Sequence, residues 1–98
     1  MQLRYANADL ERVCTDERQM QKRFGVPVAK ALKLRLFDLR ATTDMPLLLQ
    51  GRGRWEELHG NRAGQWSARL SPNWRLIVDP DGDDATVLIV EIVDYHRK

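Results

Sequence analysis

Residues 73–95 read NWRLIVDPDGDDATVLIVEIVDY, two apolar runs separated by a short acidic segment. The first run alternates, so its apolar side chains lie on one face of a strand and Arg75 lies on the other. The residues of the apolar face are Trp74, Leu76 and Val78. The second run is apolar on both faces, which is typical of a central strand, and the Asp, Gly and Pro residues between the runs predict a turn. The whole stretch therefore predicts two neighbouring strands of an antiparallel sheet.

Two further segments with the same period of two precede this pair, RWEEL at 54–58 and QWSARL at 65–70. Turn signals separate them at 60–64 and 71–73. We interpret the tryptophans of these strands as core residues, because burying an indole removes a large apolar area from water. In the second segment the residues that share a face are Trp66, Ala68 and Leu70. The segments together predict an antiparallel meander.

The first forty residues predict a short strand followed by two helices. MQLRYA, at 1–6, alternates like a strand, and helical spacing of apolar residues follows over about 8–24 and 27–42. Gly25 is a typical helix stop and Pro27 a typical first residue of a helix. A second capping signal lies inside the first helical segment, at Thr15, Asp16 and Glu17.

The predicted fold is α+β: two N-terminal antiparallel helices packed on a mainly antiparallel sheet of four to five strands. If the helices cover the face that carries Trp74, the face that carries Arg75 is left open. Glu91 interrupts the apolar strand 86–95, and a carboxylate there needs a partner or an opening to solvent.

Composition indicates one folded domain, 1–98. The chain is 43% hydrophobic and 31% charged, within the range of globular proteins. Cys14 is the single cysteine, so no internal disulfide forms and no cysteine pair has the spacing of zinc ligands. We expect neither a metal nor another cofactor. The sequence contains no apolar run long enough for a signal peptide or a membrane span, so we expect a soluble protein in a reducing cytoplasm, with no membrane partner.

The net charge of +2 conceals an uneven distribution. Residues 1–78 hold 14 Lys and Arg against 8 Asp and Glu, which is +6, and residues 79–98 hold 2 against 6, which is −4. Most of the acidic residues of the second part belong to the turn between the two apolar runs. The basic remainder of the chain could present a positive face to a phosphate backbone.

Three polar segments interrupt the strand region, at 58–67, 73–75 and 91–96. A meander brings such segments together, and their residue types suit RNA cleavage without a metal. That reaction needs a base for the 2′-hydroxyl, a cation for the charge that develops on the phosphate, and an acid for the leaving 5′-oxygen. The candidates for proton transfer are His59, Asp94, Tyr95 and His96. The candidates for contacting phosphate are Arg62, Arg69 and Arg75.

Structural interpretations stand beside these functional ones. His59 precedes a glycine and fits a turn, and Arg62 fits an ordinary surface position. Arg75 could form a cross-strand ion pair with Glu91 instead of contacting phosphate. Tyr95 could bury its ring at the end of the sheet, and the C-terminal residues beyond it could fray into solvent.

The three segments together resemble HigB-like toxins of the RelE/ParE superfamily. In that family a Leu, a variable residue, Gly, Asp or Asn, Arg, any residue, Gly, an aromatic residue and Ser are followed by Asn-Trp-Arg and a C-terminal acidic residue with Tyr and His. The matching residues here lie at 58–67, 73–75 and 94–96, and the order of helices and strands matches over nearly the whole chain.

The resemblance implies a ribosome-dependent mRNA endoribonuclease that is neutralised by a HigA-like antitoxin. Such an antitoxin carries a helix-turn-helix domain, so the toxin meets operator DNA only through it. By position, Arg75 would stabilise the transition state, and Asp94, Tyr95 and His96 would form the C-terminal part of the site. His59 falls where many HigB-like toxins carry lysine.

A second departure from the family is Glu56, which falls near the place of another family histidine. The assignment of the general base therefore stays open at this stage. The other activities compatible with the resemblance are a non-nuclease member that acts by binding protein, and a degenerate toxin kept for operon co-repression. A cluster of Arg75, Tyr95 and His96 would favour the nuclease, because a pure binding protein does not need it.

Overall fold

The computed structural model describes residues 1–80, 82 and 85–95. In this part of the chain five strands form one sheet, and three α-helices lie against one of its faces. The strands are β1 (Gln2–Tyr5), β2 (Glu56–Glu57), β3 (Trp66–Arg69), β4 (Trp74–Pro80) and β5 (Thr86–Asp94). The helices are α1 (Ala8–Thr15), α2 (Glu17–Phe24) and α3 (Val26–Ala41), with short 3-10 helices at Pro46–Gln50 and Gly60–Arg62.

The sheet order is β1-β5-β4-β3-β2. β1 pairs with β5 in parallel, and the other three pairs of neighbours are antiparallel. β5 thus lies between two strands, which confirms the central strand that its two apolar faces predict. The fold class is confirmed as α+β with a mainly antiparallel five-stranded sheet.

The first predicted helix, 8–24, is two helices. The residue between them, Asp16, has an extended backbone, with φ of −125° and ψ of 107°. Its carboxylate accepts hydrogen bonds from the backbone N–H groups of Arg18 and Gln19, at 3.0 and 3.3 Å. A side chain that satisfies the first amides of a new helix lets that helix begin without unpaired donors. The prediction of two helices is therefore corrected to three.

An ion pair crosses the corner between α1 and α2. The guanidinium of Arg23 donates two hydrogen bonds to the carboxylate of Asp9, at 2.7 and 3.0 Å. This contact holds the pKa of Asp9 below its usual range. Both side chains are about half exposed, so the pair orients the two short helices more than it stabilises the fold.

The core lies between the helices and the inner face of the sheet. α3 contributes Leu32, Leu36 and Leu39, all almost completely buried. They pack in one cluster with the inward residues of the central strands, Leu76, Val78, Val87 and Ile89. Trp66 is buried in the same cluster, and the partly buried Trp74 meets Phe24 of α2 edge to face at 5.2 Å. The prediction that the helices cover the face carrying Trp74 is confirmed.

β5 contains an extra residue relative to its partner β4. Ile77 pairs with Glu91 and Val78 pairs with Ile89, so Val90 has no partner on β4. Such a bulge reverses the alternation of the strand at that point. Before it, Val87 and Ile89 face the core, and after it Glu91 faces away from the helices. Without the bulge, strict alternation would place this carboxylate in the core.

No helix in the described ranges is long and apolar enough to cross a bilayer. The single cysteine, Cys14, lies on α1 and is buried within the core cluster. Burial raises the pKa of this thiol to about 12. The folded protein thus keeps Cys14 as a neutral thiol at physiological pH, whereas the thiolate is the form that reacts.

We expect Cys14 to resist alkylation by iodoacetamide at pH 8.5 in the folded protein and to react rapidly in guanidinium chloride. The thiol of an unfolded chain ionises near pH 8.5, so a raised pKa in the folded state lowers the free energy of unfolding as pH rises above that value. Intact-mass spectrometry over time measures the alkylation. Equal rates with and without denaturant would contradict the burial of this side chain.

Candidate functional site

The face of the sheet away from the helices carries a row of polar residues. By register, Glu56 pairs with Ser67, Ser67 pairs with Ile77, and Arg69 pairs with Arg75. Side chains at paired positions of neighbouring strands point to the same face. Glu56, Arg69 and Arg75 therefore lie on the open face, which for Arg75 is what the alternation of its strand predicts.

Two arginines face each other directly across β3 and β4. Like charges at paired positions destabilise a sheet, so Arg69 opposite Arg75 is costly unless an anion or solvent screens them. Among the described residues neither has a carboxylate within salt-bridge distance. They line a groove of about 310 Å³ whose other walls are Arg54, Trp55 and Glu56. The groove combines uncompensated positive charge with one carboxylate.

The guanidinium of Arg75 is held in place from one side. Its Nη1 donates to the backbone oxygens of Ser71 at 2.8 Å, Trp74 at 3.0 Å and Pro72 at 3.3 Å. Its central carbon lies 5.5 Å from the centroid of the Tyr95 ring, within the range of a cation–π contact. Tyr95 is 43% exposed, so this ring is also open to solvent. The contacts orient the arginine without neutralising it.

Glu56 is the site residue that sequence reasoning missed. It was considered only as a departure from a family histidine, although the alternation of RWEEL, with Trp55 directed inward, was a signal that Glu56 points outward. Its side chain is exposed, and it makes no hydrogen bond or ion pair with another described residue. An unpaired carboxylate beside arginines can accept a proton from a bound group. In the part of the chain that the structure describes, no three His, Cys, Asp or Glu side chains are grouped so as to hold a metal ion.

Arg62 crosses the open face to reach β5. It donates to the carboxylate of Glu91 and, at 2.8 Å, to the amide oxygen of Gln65. Because β4 lies between β3 and β5, this contact spans β4, whose Ile77 is fully buried although it lies on the open face. The partner of Glu91 is therefore Arg62, and the suggested ion pair between Arg75 and Glu91 does not form.

Arg54 has an unusual backbone conformation. Its φ is +50°, and in the described chain all the other residues with positive φ are glycines. A left-handed conformation in a non-glycine residue costs about 1–3 kcal/mol and persists only where the surroundings impose it. Arg54 lines the groove with Glu56, Arg69 and Arg75. The strain is thus located at the candidate site.

The other candidates lie elsewhere. His59 is exposed at the start of the 3-10 helix Gly60–Arg62 and is not among the residues that line the groove. Asp94 pairs in register with Trp74, which places it on the helix side of the sheet, opposite to Arg75. His96 lies outside the described residues. The structure therefore brings Arg69, Arg75 and Tyr95 together and separates Asp94 from them.

No protein-family model and no curated protein matches the sequence. Solved structures do match. A YoeB/ParE toxin from Agrobacterium tumefaciens aligns with a TM-score of 0.69 and 17% identity, over 96% of this chain and 98% of that one. A YoeB-YefM complex from Staphylococcus aureus aligns with a TM-score of 0.64 and 20% identity, over 98% and 97%.

A YafQ mutant from E. coli aligns with a TM-score of 0.61 and 19% identity, over 96% of this chain and 92% of that one. At these identities the likeness concerns the fold. The chain has the RelE-like toxin fold that the sequence predicted, over nearly its full length. The narrower resemblance to HigB-like toxins stays a prediction.

The hydroxyl of Ser67 is buried on the open face and has no hydrogen-bond partner in the described part of the chain. A buried polar group without a partner costs stability. We therefore expect Ser67→Ala to raise the free energy of unfolding by about 1 kcal/mol. Urea denaturation followed by tryptophan fluorescence measures the change.

Ser71→Ala is the matched control for this substitution. The Ser71 hydroxyl accepts hydrogen bonds from the backbone N–H groups of Asn73 at 3.2 Å and Trp74 at 3.0 Å. Its removal should lower the free energy of unfolding by about 1 kcal/mol. A loss of stability in Ser67→Ala as large as that in Ser71→Ala would show that the Ser67 hydroxyl has a partner.

Proposed function

We propose that this protein is the toxin of a type II toxin–antitoxin pair and cleaves mRNA on the ribosome by attack of the 2′-hydroxyl. The observation that carries the proposal is the pair of opposed, uncompensated arginines, Arg69 and Arg75, in one groove with the free carboxylate of Glu56. A scissile phosphodiester needs these two kinds of group side by side. The resemblance of the sequence to HigB-like toxins points the same way.

Glu56 is the residue that we assign as general base. Its carboxylate removes the proton of the 2′-hydroxyl, whose oxygen then forms a bond to the adjacent phosphorus. The bond from phosphorus to the 5′-oxygen of the next nucleotide breaks, and that oxygen takes a proton from a general acid. The products are a 2′,3′-cyclic phosphate and a free 5′-hydroxyl. An exposed carboxylate on an edge strand is accessible to such a substrate.

Arg75 and Arg69 stabilise the negative charge that develops on the phosphate oxygens. Arg75 uses Nη1 to bind backbone carbonyls, which pre-orients the rest of its guanidinium before substrate arrives. Tyr95, exposed beside it, can stack on a base or donate its phenolic proton. His96 is the proton donor that the resemblance implies, and Asp94 belongs to the same C-terminal segment.

Two residues that the sequence predicts for the site, Arg62 and His59, have different roles in this proposal. Arg62 binds Glu91 and Gln65 and is not among the residues that line the groove, so in this proposal it stabilises the open face around Glu91 rather than holding phosphate. His59 lies exposed at the beginning of the same loop, where an imidazole could contact RNA that extends beyond the groove. Both assignments follow from where these side chains lie relative to Arg75.

The partner that we propose is a HigA-like antitoxin with a helix-turn-helix domain, which would contact operator DNA itself. A similar structure, the YoeB-YefM complex, contains a toxin with its antitoxin. On the helical side of this chain, Leu34 and Phe37 are 50% and 65% exposed beside a groove of about 560 Å³. Exposed apolar residues at a groove favour a protein partner there.

We expect Arg75→Ala to reduce cleavage of ribosome-bound mRNA roughly 100- to 1,000-fold, equivalent to about 3–4 kcal/mol of lost transition-state stabilisation. Primer extension on mRNA from translating extracts measures the cleavage. The control is Arg18→Ala, an exposed arginine on α2, which removes the same charge far from the groove. Undiminished cleavage by folded Arg75→Ala protein would reject the assignment.

Glu56→Gln tests the general base against a closely matched neighbour. It should lower the cleavage rate by roughly 100- to 10,000-fold, because an amide cannot take up the proton. Glu57→Gln changes the charge by the same amount on the same strand, but Glu57 pairs with Trp66 and so points to the opposite face. It should cleave at the wild-type rate, and equal losses in the two variants would contradict the role of Glu56.

The second candidate function is that of a non-nuclease or degenerate member of the fold, which acts by binding protein and by operon co-repression. The exposed apolar residues of α3 favour this protein-binding function, because they indicate a protein partner. Growth on induced expression separates the two functions. If the wild-type protein and an Arg75→Ala, His96→Ala variant are equally harmless, or equally toxic, the nuclease proposal is lost.

A further inference from the structure

Arg54, whose backbone is strained, lies between two residues that are held by contacts with the rest of the fold. A side chain at Gly53 would come within 2.7 Å of the Arg35 side chain, and the carbonyl of Gly53 accepts a hydrogen bond from the backbone N–H of Arg69 at 2.8 Å. On the other side, Trp55 is buried, and its indole nitrogen lies 3.5 Å from Asp38. These contacts force the chain between Gly53 and Trp55 outward. The side chain of Arg54, between these two held residues, is exposed to solvent.

Asp38, a residue of α3, anchors the segment from Gly53 to Trp55 to that helix. Its carboxylate lies 2.9 Å from Nε of Arg35, which is 12% exposed, so the pair is largely shielded from water. Arg35 in turn packs against Gly53. The φ of Gly53 is +102°, a backbone conformation that favours glycine. A substantial set of contacts from the helix is thus used to hold one exposed arginine in an unfavourable backbone conformation. Such strain is typical of functional sites.

Arg54 borders two grooves and not one. The first is the groove of Arg75 and Glu56. The second, of about 340 Å³, is lined by Arg35, Arg54, Arg69 and Ser71 among others. Arg54 and Arg69 belong to both, so the grooves adjoin each other along these two side chains. In the described chain Arg54 has no carboxylate within salt-bridge distance, so its charge is available to a ligand.

We propose that the second groove binds the backbone phosphate next to the scissile one, with Arg54 between the two phosphates. A single-stranded RNA would then run from the groove of Arg75, across Arg54 and Arg69, towards Arg35 and Ser71. A chain of regularly spaced phosphates suits adjoining cationic grooves, and the guanidinium fork suits phosphate oxygens. This inference rests on the proposed function, since it takes the substrate to be RNA.

The test is the salt dependence of binding to a single-stranded RNA oligonucleotide with 2′-O-methyl groups, which cannot be cleaved. Each phosphate contact on single-stranded nucleic acid contributes about 0.7 to the slope of log K against log salt. Arg54→Ala should reduce the magnitude of the slope by about 0.7. The affinity of Arg54→Ala should therefore fall less steeply with salt than that of the wild type. The ratio of wild-type to variant affinity should decrease about 2- to 3-fold between about 50 and 200 mM salt.

Arg52→Ala is the matched control. Arg52 is exposed in the same loop and its substitution changes the net charge equally, but it lines neither groove. Its slope should equal that of the wild type. Equal slopes for Arg54→Ala and Arg52→Ala, or no RNA binding by the wild-type protein at low salt, would overturn the second phosphate site.

Arg54→Gly separates this role from a structural one. Glycine relieves the left-handed strain, so this variant should have a higher Tm than the wild type and still bind RNA as weakly as Arg54→Ala. A variant that gains stability and keeps wild-type binding would overturn the inference. Cleavage assays with Arg75→Ala test the proposed function separately: if cleavage depends on Arg75 while RNA binding is indifferent to Arg54, only this inference fails.

Discussion

The pairing of β4 with β5 is the constraint on which the rest of the structure depends. These strands carry the centre of the core on one face, and β4 carries Arg75 on the other. The extra residue Val90 keeps the two faces distinct, because it reverses β5 just before Glu91. A carboxylate that would otherwise be buried among leucines instead meets Arg62 on the open face. One inserted residue therefore serves both the packing and the site.

The open face contains several features that lower the stability of the protein, and the rest of the fold tolerates them. Two arginines oppose each other, a third holds a left-handed backbone, and a buried hydroxyl has no partner in the described chain. Each of these lowers stability in isolation. They lie on β3, on β4 and in the segment before β2, whereas the helical side shows well-packed leucines. Under the proposed function, the open face is the side of the sheet on which the polyanion would bind.

Periodic signals account for most of what the sequence predicted. The central strand and the outward direction of Arg75 follow from alternation, a local property, whereas the outward direction of Glu91 depends on the bulge at Val90, which alternation does not predict. The division of the first helix was visible at Asp16 as a capping signal, but only the backbone shows that the helix stops there. The sequence does not predict that Glu56 lies near Arg69 and Arg75, because this proximity depends on register across three strands.

β5 is the last element of the described chain, and it hydrogen-bonds with both β1 and β4. The pairing of Gln2 with Thr86 joins segments that lie 84 residues apart in the sequence. Such non-local contacts form late, after the intervening chain exists. Because β1 pairs with β5, this part of the sheet can form only after residues 86–94 have been synthesised. β1 and the helices α1 to α3 are therefore made well before the strand with which β1 pairs.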